Sequence, residues 1–102
     1  MSAQYASGNW HVKAGSEDEF MKRWKAFTQW SLDNAAGARS FILLRDESDP
    51  KHFISMGEWD GAESRAKWRS TDEFPKLLGA CREVCEDFVG GDFTLAATPT
   101  RS

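Results

Sequence analysis

The chain of 102 residues is poor in several residue types: it has two cysteines, two histidines, three prolines and one tyrosine. Two cysteines cannot build the disulfide framework of a small secreted domain, so a reducing, cytoplasmic setting is expected. No apolar run approaches the roughly 20 residues of a membrane-crossing helix, and the first fifteen residues lack the apolar core of a signal peptide. Positive charge is not in excess either. Thirteen Lys and Arg against 16 Asp and Glu leave a net charge of −3, which excludes the basic footprint of a nucleic-acid binder. Repeats, low-complexity tracts and linkers are missing, and the length suits a single domain with a core over about residues 5–97. Aromatic rings are plentiful, with 5 Trp and 7 Phe. So many large rings in a short chain must line a core, a pocket or an interface.

Residues 5–14 alternate as a strand, with Trp10 and Val12 on one face and Tyr5, Ser7, Asn9 and His11 on the other. Gly15 ends it. Ser16-Glu17-Asp18-Glu19 has the pattern of a capping box. It opens a helix to about Asn34, with Phe20, Trp24, Phe27 and Ser31 along one stripe and Gly37 as its left-handed stop. Arg39 to Glu47 and His52 to Trp59 form a hairpin around the turn Ser48-Asp49-Pro50-Lys51. A short helix carrying Trp68 follows Asp60-Gly61-Ala62-Glu63, and Pro75 predicts a tight first turn or kink before the next helix. That helix is expected to run to about Val89 with Leu77, Cys81, Val84, Cys85 and Phe88 inward. Gly90-Gly91 would end it, and Phe93, Leu95 and Ala97 would alternate along a last strand.

The order strand, helix, strand, strand, helix, strand is the split βαβ plan of a ferredoxin-like α+β domain: an antiparallel βαββαβ sheet with helices on one face. The other face should be polar if it meets water. The hairpin contradicts this, because Phe41, Leu43, Phe53 and Trp59 alternate with Ile42, Leu44, Ile54 and Met56. Leaving the second set in water forfeits roughly 6–12 kcal/mol at about 1.5–3 kcal/mol per side chain. That rivals the whole stability of such a domain. A homodimer with its sheets packed together is expected.

The chain resembles the antibiotic biosynthesis monooxygenase family in its opening strand ending in Lys13-Ala14-Gly15, then Glu19-Phe20 and Trp24. The stretch Phe53 to Trp59, followed by Trp68, Ser70 and Phe74, is similar too. The resemblance implies a dimeric α+β barrel. It also implies a small-molecule activity: cofactor-free oxidation of phenolic or quinol-type aromatics, haem breakdown, or binding without chemistry. The haem-degrading branch pairs an Asn on the first strand with a Trp and, ten residues later, a His on the second helix. Trp68 matches the Trp, but the place of the His is held by Leu78. Asn9 is one residue out of register, on the opposite sheet face.

A cofactor-free oxygenase must enclose its aromatic substrate, stabilise the anion and admit dioxygen to a dry pocket. Trp24, Phe27, Phe41, Trp59, Trp68 and Phe74 are the candidate walls. His11 and His52 are the proton acceptors by type, and Asn9, Arg65 or Arg69 could hold a carbonyl or oxyanion. Each has a plainer alternative: a core stripe for the rings, an exposed turn residue for His52, a solvated helix face for Arg65, Lys67 and Arg69. Cys81 and Cys85 read as buried thiols, since zinc needs about four ligands and no cluster completes a set. No metal, flavin or nucleic-acid partner is expected.

Overall fold

The computed structural model describes residues 3–101. Among them the chain forms β1 (Gln4–Val12), α1 (Glu17–Asn34), β2 (Ala38–Arg45), β3 (His52–Trp59), α2 (Ala62–Arg69), α3 (Glu73–Glu83) and β4 (Cys85–Thr94). The strands make one antiparallel sheet in the order β2-β3-β1-β4. This is the expected ferredoxin-like α+β arrangement, with the second helical segment split in two.

Helix α1 buries Phe20, Trp24, Phe27, Thr28 and Ser31 against the sheet. Its acidic first turn suits the helix dipole, but the capping box does not form, since Ser16 makes no side-chain cap bond. Glu19 instead pairs with Arg23 at 2.8 Å, and Arg23 also reaches Glu83 at 2.8 Å and donates to the Ala80 carbonyl at 2.9 Å. A guanidinium outcompetes a neutral backbone N–H for the carboxylate, and the result ties α1 to α3. Gly37, at φ +93°, makes the left-handed turn into β2. Between α2 and α3 the chain breaks at residues 70–72. Pro75 sits in the first turn of α3, where its missing N–H costs no helical bond.

The expected end of the last helix is corrected. It stops at Glu83, and Cys85 to Phe88 belong to β4, which runs through Gly90 and Gly91 instead of beginning after them. Phe88 and Gly90 pair with Trp10 and Gly8 across the sheet, so strand pairing overrides the helical spacing of Cys81 and Cys85.

Cross-strand partners share a sheet face. On the helix-facing side one row reads Phe53, Trp10, Phe88, the next Ser55, Gly8, Gly90, and the next Gly57, Ala6, Asp92. The large row is the core: Trp10 lies 5.1 Å from Phe20 and 4.2 Å from Phe88 between ring centroids. The two small rows leave a depression. On the outer side the rows are Leu44, Ile54, Asn9, Val89 and Ile42, Met56, Ser7, Gly91. Ile42, Leu44, Ile54 and Val89 are 40–59% exposed in the single chain, so the hairpin is apolar on both sides, as the sequence indicates. No helix among the described residues is long and apolar enough to cross a membrane.

Candidate functional site

The depression over the two small rows becomes a cavity of about 530 Å³ when α1, α2 and α3 close over it. Its floor is small because it must be. A Cβ on Gly8 would stand 2.5 Å from Trp10 Nε1 and 2.7 Å from Ser55 Oγ, and one on Gly57 would stand 2.5 Å from the Phe41 ring. Glycine inside a strand marks such close approaches. The walls are Trp10, Trp24, Phe27, Phe41, Trp68 and Phe74, with Leu78 and Phe88 beside them. Trp68 is the centre of this ring cluster: Phe27 stacks on it at 5.6 Å and Phe74 meets it edge-on at 4.7 Å.

The polar atoms of the walls are mostly spent within the protein. Trp68 Nε1 donates to Ser31 Oγ at 2.8 Å, and Ser31 donates to the Phe27 carbonyl at 2.8 Å. Thr28 donates to the Trp24 carbonyl at 2.9 Å. Trp10 Nε1 donates to Ser55 Oγ at 2.9 Å. Ser55, 8% exposed, thereby uses an acceptor position and keeps its O–H, which has no protein acceptor among the described residues. That leaves one donor at the floor of an apolar chamber. At the opening, Arg69 pairs with Asp92 at 2.7 Å from Nη1. The hydrogen bond from Arg69 holds the Asp92 carboxyl below its ordinary range, with the charges of Arg69 and Arg65 adding to it.

The residues proposed from sequence divide between two places. Trp24, Phe27, Phe41, Trp68 and Phe74 line the cavity together. Trp59 does not. It is fully buried behind Trp68, 4.7 Å away, and its indole N–H is without a partner among the described residues. Asn9, His11 and His52 also lie outside the cavity lining. They belong to the outer sheet face, as the register of Asn9 with Ile54 and Val89 requires. There they form their own group. His52 Nδ1 is 2.9 Å from Asp46 Oδ2, its Nε2 is 2.7 Å from Asn9 Oδ1, and His11 stacks on its ring at 4.6 Å. The nine candidate residues thus fall in two places: five of the rings line an aromatic cavity with Trp59 behind it, and Asn9, His11 and His52 form a cluster on the other face.

Sequence reasoning missed Gly8, Ser55, Gly57, Gly90 and Asp92. The signal was present as small residues two positions from a large ring in three strands: Gly8 before Trp10, Gly57 before Trp59, Gly90 after Phe88. Leu78, where a haem-degrading relative would carry its His, is an apolar wall residue and offers iron no ligand. No group of His, Cys, Asp or Glu suited to a metal ion occurs among the described residues.

Solved structures share this architecture. SnoaB, a cofactor-independent oxygenase from Streptomyces nogalater, is 16% identical and superimposes with a TM-score of 0.86 over 96% of this chain and 97% of that one. A conserved protein of unknown function from Bacteroides thetaiotaomicron, described as a possible oxidoreductase, is 18% identical with a TM-score of 0.81, over 92% of this chain and 98% of that one. A Caulobacter crescentus protein, a proposed antibiotic biosynthesis monooxygenase, is 13% identical with a TM-score of 0.82, over 94% and 92%. At these identities the likeness concerns the fold alone. No curated protein sequence matches the chain. The profile of the antibiotic biosynthesis monooxygenase family matches residues 4–78, some three quarters of the length, and the chain belongs to that family.

Proposed function

We infer that the protein is a homodimeric, cofactor-independent oxygenase acting on a hydroxylated polycyclic aromatic held in the helix–sheet cavity. The observation that carries this is the chamber itself: aromatic on its walls, floored by glycines, and offering one unspent donor at Ser55. Flat rings suit the walls, and water is disfavoured by them. Ser55, fixed by the Trp10 indole, would donate to the substrate's ring oxygen and stabilise its anion as the electron-rich ring meets dioxygen. The oxidation expected of an anthrone-type ring is balanced without a cofactor. The ring CH2 becomes C=O, one oxygen atom enters the product and the other leaves as water with the two hydrogens. Dioxygen is the oxidant, and the ring supplies four electrons.

Asp92 is the carboxylate at the cavity, and Arg69 makes it a weak base. The substrate's own acidity, raised by the Ser55 donor, therefore has to supply the anion. Asn9, His11 and His52 have no part in this step, because they face away from the cavity. The exposed Ile42, Leu44, Ile54 and Val89 support the dimer, each covered by the same face of a second copy.

Oxygen uptake with anthrone tests the assignment. Stoichiometric consumption with anthraquinone as product is expected, and Ser55→Ala should slow it by about tenfold or more. Saturable binding of anthrone with no consumption above buffer would instead make the protein a carrier, a role favoured by how few polar groups the cavity leaves unspent.

A further inference from the structure

Two charged residues line the cavity among the described residues, Arg69 and Asp92. Their side chains are 35% and 44% exposed, which places them at the opening. Asp92 sits between two guanidinium groups. Arg69 holds both carboxylate oxygens, Oδ2 from Nη1 at 2.7 Å and Oδ1 from Nη2. Arg65 Nε stands 3.7 Å from Oδ1. The two arginines are not equivalent. Arg65 is buried and anchored, donating to the Tyr5 carbonyl at 2.9 Å. Arg69 has no other acceptor among the described residues, and its guanidinium lies 5.8 Å over the ring of Trp68, a wall of the cavity. With Arg65 buried behind the pair at the mouth, Asp92 has two cations beside it, a local positive excess in a chain of net charge −3.

We propose that Arg69 is an anion-selecting residue, which takes the carboxylate of an aromatic acid whose rings lie in the cavity while Arg65 remains beside Asp92. This rests on the assignment of the cavity as the seat of an aromatic ligand and adds the class: a polycyclic aromatic acid, entering rings first. The exchange is chemically cheap for the protein. Arg69 trades one bidentate carboxylate for another and stays against Trp68. Asp92 does not become a lone charge. A neutral ester of the same ring system cannot make the trade, and binds beside an ion pair that stays closed.

Quenching of tryptophan fluorescence by anthraquinone-2-carboxylate and by its methyl ester separates the outcomes. The wild type should bind the acid several-fold more tightly than the ester, since the charge-assisted pair gained is offset only in part by the exposed Asp92 pair given up. Arg69→Gln should bring that ratio to about one, by weakening the acid far more than the ester. Asp92→Asn removes the competing carboxylate and should tighten the acid further. Equal affinities for acid and ester in the wild type, or a preference that survives in Arg69→Gln, would overturn the role of Arg69 while leaving the cavity assignment standing. Failure of both probes to bind would overturn the cavity assignment, and the selecting role with it.

Discussion

Replacing Gly8 by alanine adds one methyl group at the point where the cavity floor is tightest. The new Cβ would stand 2.5 Å from Trp10 Nε1 and 2.7 Å from Ser55 Oγ, distances that real side chains do not hold. Neither neighbour can step aside easily. The Trp10 ring is packed between Phe20 and Phe88, and Ser55 is buried. Overpacking a core of this kind costs about 1–3 kcal/mol. Separating the 2.9 Å Trp10–Ser55 hydrogen bond leaves a buried indole N–H unpaired, a further cost of about 1–3 kcal/mol. At the lower ends of the two costs together, about 2 kcal/mol, Tm should fall by roughly 8 °C in a domain of this size. Binding of anthraquinone should weaken as well, because the floor has risen. Gly79→Ala is the matched control. Its Cβ meets nothing within 4 Å, and alanine in helix α3 should stabilise by about 0.5–1 kcal/mol. Thermal melts of both variants, with fluorescence titration of the probe, decide the matter. A Gly8→Ala protein that melts with the wild type and binds the probe equally well would refute the account of the floor.

Three other predictions concern surfaces and buried groups. Ile54→Glu places a charge beside Leu44 on the exposed outer face, so sedimentation should give the 11.5 kDa chain in place of a species of twice that mass. A wild type that already sediments as a single chain at micromolar concentration would contradict the dimer. Burial pushes the Cys81 thiol up to about 12 and the Cys85 thiol up to about 11; iodoacetamide at pH 8 should therefore leave the folded protein unlabelled and modify both sites in urea, and rapid labelling of the native state would count against the buried placement. The Asp92 carboxyl, held by Arg69 below its ordinary 3.8, contributes stability above pH 3.8 and loses it as pH falls through the lower folded value. Asp92→Asn should flatten the stability profile in that acid range, measured by urea unfolding across pH, and an unchanged slope would show that the ion pair does not matter to folding.

Much of the fold was legible because the sequence repeats its signals at several levels. The α1 stripe of Phe20, Trp24 and Phe27 has helical spacing, the hairpin has a turn rich in Asp and Pro, and Gly37 closes the helix that precedes it. The start of β4 was not legible. Cys81 and Cys85 are one helical turn apart and Gly90-Gly91 looks like a helix stop, yet Gly90 leaves space beneath a cavity, which only its pairing with Gly8 reveals, and Gly91 lies on the outer face opposite Ser7. The site followed the same division. Large rings announce a cavity wall, whereas its floor is made of residues whose importance is the absence of a side chain. Asn9, His11 and His52 are candidates by residue type, and the alternation of β1 and β3 sends them to the opposite face from Trp10 and Phe53.

A crystal structure with anthraquinone bound tests the central assignment most directly. Ring density is expected between Trp68 and the floor at Gly8 and Gly90, with a quinone oxygen within hydrogen-bond distance of Ser55 Oγ. Density on the outer face beside Asn9, His11 and His52, or a cavity without the ligand at saturating concentration, would contradict it.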